Sequence, residues 1–187
     1  TTDSEGRFSL NAAIGHIVAL GGTDLSTNLP FSGLMKAPAG SAVVNPLTTL
    51  VLASAAITGD VSQAKQLVSQ KLSIPSGVDL LNFDPIAVAS NPSATAAEKQ
   101  SSLAVQKAAA MVMNLAVQAA SALSPSGTTV AKLEALDKVS EGLAGLISSA
   151  QSTIDLSQTA TISQVVNAAA SALGVSAALA SVQTCLL

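Results

Sequence analysis

One histidine, His16, and one cysteine, Cys185, are the residues from which nucleophilic or metal chemistry would have to be built. A serine nucleophile needs an imidazole beside its hydroxyl and a carboxylate to orient that imidazole. Any such triad here must use His16, which lies between Gly15 and Ile17 with no acidic or thiol neighbour in sequence. Serines are plentiful, yet none sits in a G-x-S-x-G elbow. Gly21-Gly22 lacks the later glycines and the strand–helix setting of a phosphate loop, and no Cys/His cluster supports zinc. His16 therefore reads as structural. Cys185 reads as a small buried hydrophobe, with an intermolecular or reactive thiol as its other use.

The carboxylates offer one more chemistry. Calcium takes several oxygen ligands, usually with closely spaced acidic side chains. Asp3 and Glu5 are two apart and Asp24 lies in a nearby loop segment, so these three are the calcium candidates. Against them, Asp3 serves equally well as a turn residue and Glu5 as a solvated one. Asp79 and Asp84 flank Phe83, but Asp84 precedes Pro85 and reads as a helix cap. Glu134, Asp137 and Glu141 recur at helical spacing with Lys138 among them, which describes a solvated helix face.

The elements that must carry these residues are mostly helices. The N-terminal part reads as β and loop: an Asp3-x-x-Gly6 turn, an alternating Phe8/Leu10 strand, a strand over His16–Leu20, and a third near Phe31–Met35. Pro38-Ala39-Gly40 is a turn. Asn45-Pro46 then starts a helix that Gly59 stops near Thr58, and Asp60 caps a second with Ala64, Leu67, Val68 and Leu72 inward. Val78–Asn91 is irregular or a short helix. A long helix spans about Ala94–Leu123, with Ala104, Ala108, Met111, Val112, Leu115, Ala119, Ala122 and Leu123 as its stripe. Ser124–Gly127 is a turn. Another helix runs over about Thr129–Ser148. Thr159 or Thr161 caps the next, which Gly174 ends, and Ser176–Cys185 forms a last short one. No period recurs, so a solenoid is not supported.

Composition narrows the classes. Apolar residues make up 49% of the 187, but there is no Trp or Tyr and only Phe8, Phe31 and Phe83 are aromatic. Ala, Val, Leu and Ile must fill the core, with Met35, Met111 and Met113 in its gaps, and small side chains let helices approach closely. Charged residues are 10%, against about 25% in ordinary soluble chains. The eight basic residues are scattered, which argues against nucleic acid as a partner. A surface with so little charge repels its neighbours weakly. Neighbouring domains or copies of itself are the partners this favours. The two long uncharged stretches, 37–59 and 156–187, are interrupted by Pro and Gly or by polar residues at helical spacing, so no transmembrane segment is expected. The start at Thr1-Thr2-Asp3 reads as a processed or excised segment.

Several blocks look familiar. Thr2-Asp3-Ser4-Glu5-Gly6-Arg7-Phe8-Ser9-Leu10 resembles the closing hairpin of immunoglobulin-like repeats in bacterial surface proteins. Gly21-Gly22-Thr23-Asp24, Leu34–Gly40 and Val44–Val51 together resemble a recurrent block of very large repetitive bacterial surface proteins. These adhesin-like chains also carry cadherin-like or calcium-binding repeats. Gly77–Leu80, Phe83-Asp84-Pro85 and Ala104–Ala110 are similar to the continuation of that block. The resemblance spans roughly residues 2 to 115 and implies export and a secreted or cell-surface setting. It supplies no catalytic residue.

The expectation is thus a mainly α (α+β) fold. A β/loop element over 1–42 joins an Ala-rich bundle of five to six helices over 43–187, packed around the long helix. The expected role is not enzymatic but that of a structural or adhesive module, with no cofactor beyond the calcium candidates. A self-assembling subunit of an extracellular filament or layer is the second reading. A bundle binding a lipid-like or pigment ligand in an Ala/Leu/Met-lined pocket is the third.

Overall fold

The structure, a computed structural model, describes residues 2–3, 6–10, 15–24, 28–124 and 129–175, with side chains over the same residues except 129 and 130. Glu5, Cys185 and the helix expected over 176–185 lie outside the described residues. Four short strands precede six helices: β1 (Ile17–Leu20), β2 (Thr23–Asp24), β3 (Leu29–Pro30), β4 (Leu34–Ala37), α1 (Pro46–Thr58), α2 (Val61–Lys71), α3 (Pro85–Ser90), α4 (Ala96–Leu123), α5 (Thr129–Ser149) and α6 (Thr159–Leu173). The fold is mainly α with a small N-terminal β element.

Local chemistry explains most helix starts. The Asn45 side chain accepts from the Leu47 and Thr48 amides, and the Asn45 N–H donates in return to the Thr48 hydroxyl oxygen, with Pro46 preset at the first position. Asp60 and Asp84 accept from the first-turn amides of α2 and α3. Thr95 and Glu98 form a reciprocal box at the start of α4, two residues after the expected Ala94. Gly59 and Gly174 end α1 and α6 in the left-handed region, which glycine enters without a Cβ clash. The start of α6 departs from expectation. Neither Thr159 nor Thr161 is the cap; Gln158 occupies that position without a side-chain cap bond. One turn upstream, Asp155 holds the approach by accepting from the Ser157 amide and hydroxyl and from Gln158 Nε2.

The apolar stripes meet in one core. Leu47, Leu50 and Val51 of α1, Ala64 and Val68 of α2, Val105, Val112, Leu115 and Ala119 of α4, Val139, Leu143 and Ile147 of α5, and Val165, Val166 and Ala169 of α6 are buried together. The long helix is not the centre. α5 packs on α1, α2, α4, α6 and β4, whereas the first turn of α4 is exposed and its N-terminal half serves α3. Ser102 and Gln106 of α4 both donate to the Pro85 carbonyl, which pins α3 there. Gly142 of α5 explains the close α5–α6 approach: a Cβ there would lie 3.1 Å from the Val165 carbonyl oxygen and 3.3 Å from the Ala168 Cβ. By length and composition α4 could cross a bilayer; here Val105, Ala108, Val112, Leu115, Ala119 and Leu123 of that helix line the bundle core.

The strands form one antiparallel ribbon in two ladders. β1 pairs with β4 from Ile17 opposite Ala37 to Leu20 opposite Leu34, and β2 pairs with β3 through Thr23–Pro30 and Asp24–Leu29. Bonds from the Gly21 amide to the Gly33 carbonyl and from the Phe31 amide to the Gly22 carbonyl bridge the ladders. The register slips by one residue between them, so the second strand carries an extra residue over Phe31–Gly33, as in a β-bulge. The expected single strand over Phe31–Met35 is therefore split into β3 and β4. The Phe31 ring covers Gly33 so closely that a Cβ there would lie 2.2 Å from the ring. Arg7–Leu10 carries no strand, although the Asp3–Gly6 turn is present, closed by Gly6 N–H to the Asp3 carbonyl and Arg7 N–H to Asp3 Oδ1.

Candidate functional site

His16 is exposed at the foot of β1, and among the described residues no group of three or more His, Cys, Asp or Glu side chains could hold a metal ion. Asp3 of the calcium candidates closes its own turn, and Asp24 sits in β2 with its carbonyl accepting from Asn28. Elsewhere Asp60, Asp84, Glu98 and Asp155 hold backbone, and Asp79, Asp137 and Glu141 bind lysines. Asp79 accepts from Lys65 at 2.9 Å, from Asn82 and from the Leu81 amide. The Lys65 bond, ahead of the others, keeps Asp79 below the usual carboxylate range. Thr95 lowers Glu98 in the same way through its hydroxyl and amide. The Ser157 hydroxyl, then Gln158, bring Asp155 down to about 2. Lys138, bonded to Glu141 at 2.8 Å, is held above its ordinary value by that partner.

Of the acidic run on α5, sequence spacing accounted for Lys138 with Glu141 but not for Asp137. Asp137 accepts from Lys36 Nζ at 2.5 Å, across 101 positions of sequence. This pair ties the ribbon to the bundle. A shallow open groove of about 500 Å³ runs between α5 and α6, over Gly142, Gly145, Leu146, Ala168 and Ala172, with Lys138 and Glu141 among its lining.

The ribbon is the most unusual surface. Its two edges are treated differently. On the β4 side, Lys36 donates its amide to Thr49 Oγ1 at 2.8 Å, and its carbonyl accepts from the Thr48 and Thr49 hydroxyls at 2.9 and 3.1 Å. The first turn of α1 thus covers that edge at Lys36 with two side chains. This also fixes the phase of the ladder. The two backbone groups of a strand residue point to the same side, so Lys36 faces away from β1 and its opposite number, Val18, faces away from β4. The Gly21–Gly33 bond agrees, placing 17, 19 and 21 among the bonded residues and 18 and 20 among the outward ones. The amides and carbonyls of Val18 and Leu20 therefore line an edge that is uncovered among the described residues, and their side chains are 50% and 62% exposed. Leu29 at the far end of the ribbon is 62% exposed. Sequence alternation could find β1; only the Thr48–Thr49 contact shows which of its residues face outward.

Compared with known protein families, curated proteins and solved structures, the chain matches none.

Proposed function

We propose that this chain is a non-catalytic structural or adhesive module of an exported bacterial surface protein. The observation that carries the reading is where the acidic side chains go. Asp60, Asp84 and Glu98 cap helices, Asp3 and Asp155 close turns, and Asp79, Asp137 and Glu141 hold lysines. Groups that an enzyme would converge on a substrate are distributed here to hold elements in place. The small-residue core supports the same reading. Ala64, Ala119, Ala135, Ala144, Ala169 and Ala170 bring helices close together, which suits a rigid spacer. The surface setting rests on the blocks Gly21–Asp24, Leu34–Gly40 and Val44–Val51 and their resemblance to repetitive surface proteins.

The reading is tested with antibodies raised against the folded chain and applied to intact and permeabilised cells of the source bacterium. Labelling of intact cells is expected. Labelling that appears only after permeabilisation would contradict export.

A further inference from the structure

We infer that β1 is a self-pairing edge through which two copies of the chain associate, antiparallel, about a two-fold axis at Ala19. The outward backbone groups are those of Val18 and Leu20, the residues on either side of Ala19. In an antiparallel ladder a bonded pair exchanges both N–H···O=C bonds. A two-fold at Ala19 sets Val18 opposite Leu20 of the second copy and Leu20 opposite its Val18, so every outward amide and carbonyl of both strands is satisfied. Within Ile17–Leu20, any shifted antiparallel register leaves one of the two residues unmatched. Beyond Leu20 the edge does not lengthen, because the chain turns through Gly21 and Gly22, both at positive φ, and the Gly22 carbonyl is bonded inward to Phe31; at its other end β1 starts at Ile17, two residues after Gly15, also at positive φ.

The occupant follows from chemistry. Backbone amides and carbonyls spaced two residues apart are matched in register by another strand. β4 does not offer the same two-residue pattern, since Thr48 and Thr49 already bind the amide and carbonyl of Lys36. β1 of a second copy presents the required pattern in the required register. The exposed Val18 and Leu20 side chains then meet as apolar cross-strand pairs. Natural edges are usually protected by lysine, proline, a bulge or a covering element. β1 reads Ile-Val-Ala-Leu and carries no charge. A net charge of −3 over the whole chain adds little repulsion between copies.

Specific interfaces bury on the order of 800 Å² per partner, more than two four-residue strands offer. The dimer is therefore weak in dilute solution and gains from side-by-side display, where a high effective concentration replaces area. That biological use rests on the proposed surface role; the pairing does not, so the purified chain can fail either claim separately.

The test is sedimentation equilibrium over a wide concentration range with the Cys185→Ser chain, its Val18→Pro variant and its Ala19→Cys variant. Val18→Pro removes an amide that has no acceptor among the described residues, so the helical circular dichroism should persist. Two bonds are lost per dimer by symmetry, and association should weaken at least about tenfold. The two Ala19 positions form a close non-bonded pair, with Cα atoms about 4.5 Å apart, within the usual disulfide range. Ala19→Cys should therefore cross-link as a dimer under oxidised glutathione. A strict monomer at every concentration would overturn the inference, as would undiminished association of Val18→Pro. Loss of association on removing residues 1–10, with Ala19→Cys uncross-linked, would assign the contact to the Phe8–Leu10 segment and overturn it too.

Discussion

The bundle and the ribbon solve the same problem in opposite ways. In the bundle, the polar ends of elements are closed locally. Asn45, Asp60, Asp84 and Thr95 bind first-turn amides, Gly59 and Gly174 turn the chain out, and the apolar stripes of α1, α2, α4, α5 and α6 face one another. In the ribbon, one edge is closed by borrowing Thr48 and Thr49 from α1, and the other is left open at Val18 and Leu20. Val18, Leu20 and Leu29 are exposed within this short stretch. An Ala-rich bundle can complete its own core because small side chains pack at close range. A two-stranded ribbon has too little face to do so. The comparison separates a region that holds shape from a region available for contact.

The largest expected effect should fall on the bundle. Ile147 is fully buried on α5, the helix that touches the most elements. Ile147→Ala leaves a cavity at that junction and should cost about 2–5 kcal/mol in denaturant unfolding. A loss below ~1 kcal/mol would mean that the core is looser than its burial implies.

A smaller effect should cross between the two regions. Lys36→Met removes the ribbon's ion pair with Asp137, which is partly exposed on both sides. The global cost should be about 1 kcal/mol or less. The ribbon should feel it more: the Met35 and Ala37 amides should lose hydrogen-exchange protection while those of α5 keep theirs. Uniform loss would show that ribbon and bundle open as one unit.

The smallest effect is electrostatic. Asp155 is held at about 2 by Ser157 and Gln158, below its unfolded value of about 3.9. A depressed carboxylate contributes stability that is complete above the unfolded value and is lost as pH falls through the folded one. Asp155→Asn should flatten the stability profile between about pH 4 and pH 2 and leave it parallel to the parent near neutrality. Asp79 and Glu98, also lowered, keep a residual slope in the same window. Lys138 acts with the opposite sign, its contribution fading as pH rises through its elevated value.

Sequence carried the bundle well because its signals are local. Asn45-Pro46 with Thr48, Asp84-Pro85, Gly59 and Gly174 each describe an element end within four residues. The stripe of α4 was legible for the same reason, although Val105 and Ala116, outside the expected stripe, are buried while Ala104 and Met111, within it, are only half-buried. The ribbon was less legible because register is not local. Alternation over Phe31–Met35 marks strand character but says nothing of the slip at Phe31–Gly33, which depends on what lies opposite Gly21 and Gly22. Lys36 and Asp137 each look like solvated surface residues until the fold brings them together. The open edge at Val18 and Leu20 was hidden for a related reason. Whether a strand residue faces in or out is decided by its neighbour's neighbour, here Thr48 and Thr49 on α1.

The openness of that edge is measured most directly by amide hydrogen exchange at Val18, Ala19 and Leu20, followed by NMR at low and at high protein concentration. Fast exchange is expected at Val18 and Leu20 and protection at Ala19 in the dilute monomer, with Val18 and Leu20 gaining protection as concentration rises. Protection of Val18 and Leu20 already in the dilute monomer, or fast exchange there at every concentration, would contradict an open, self-pairing edge.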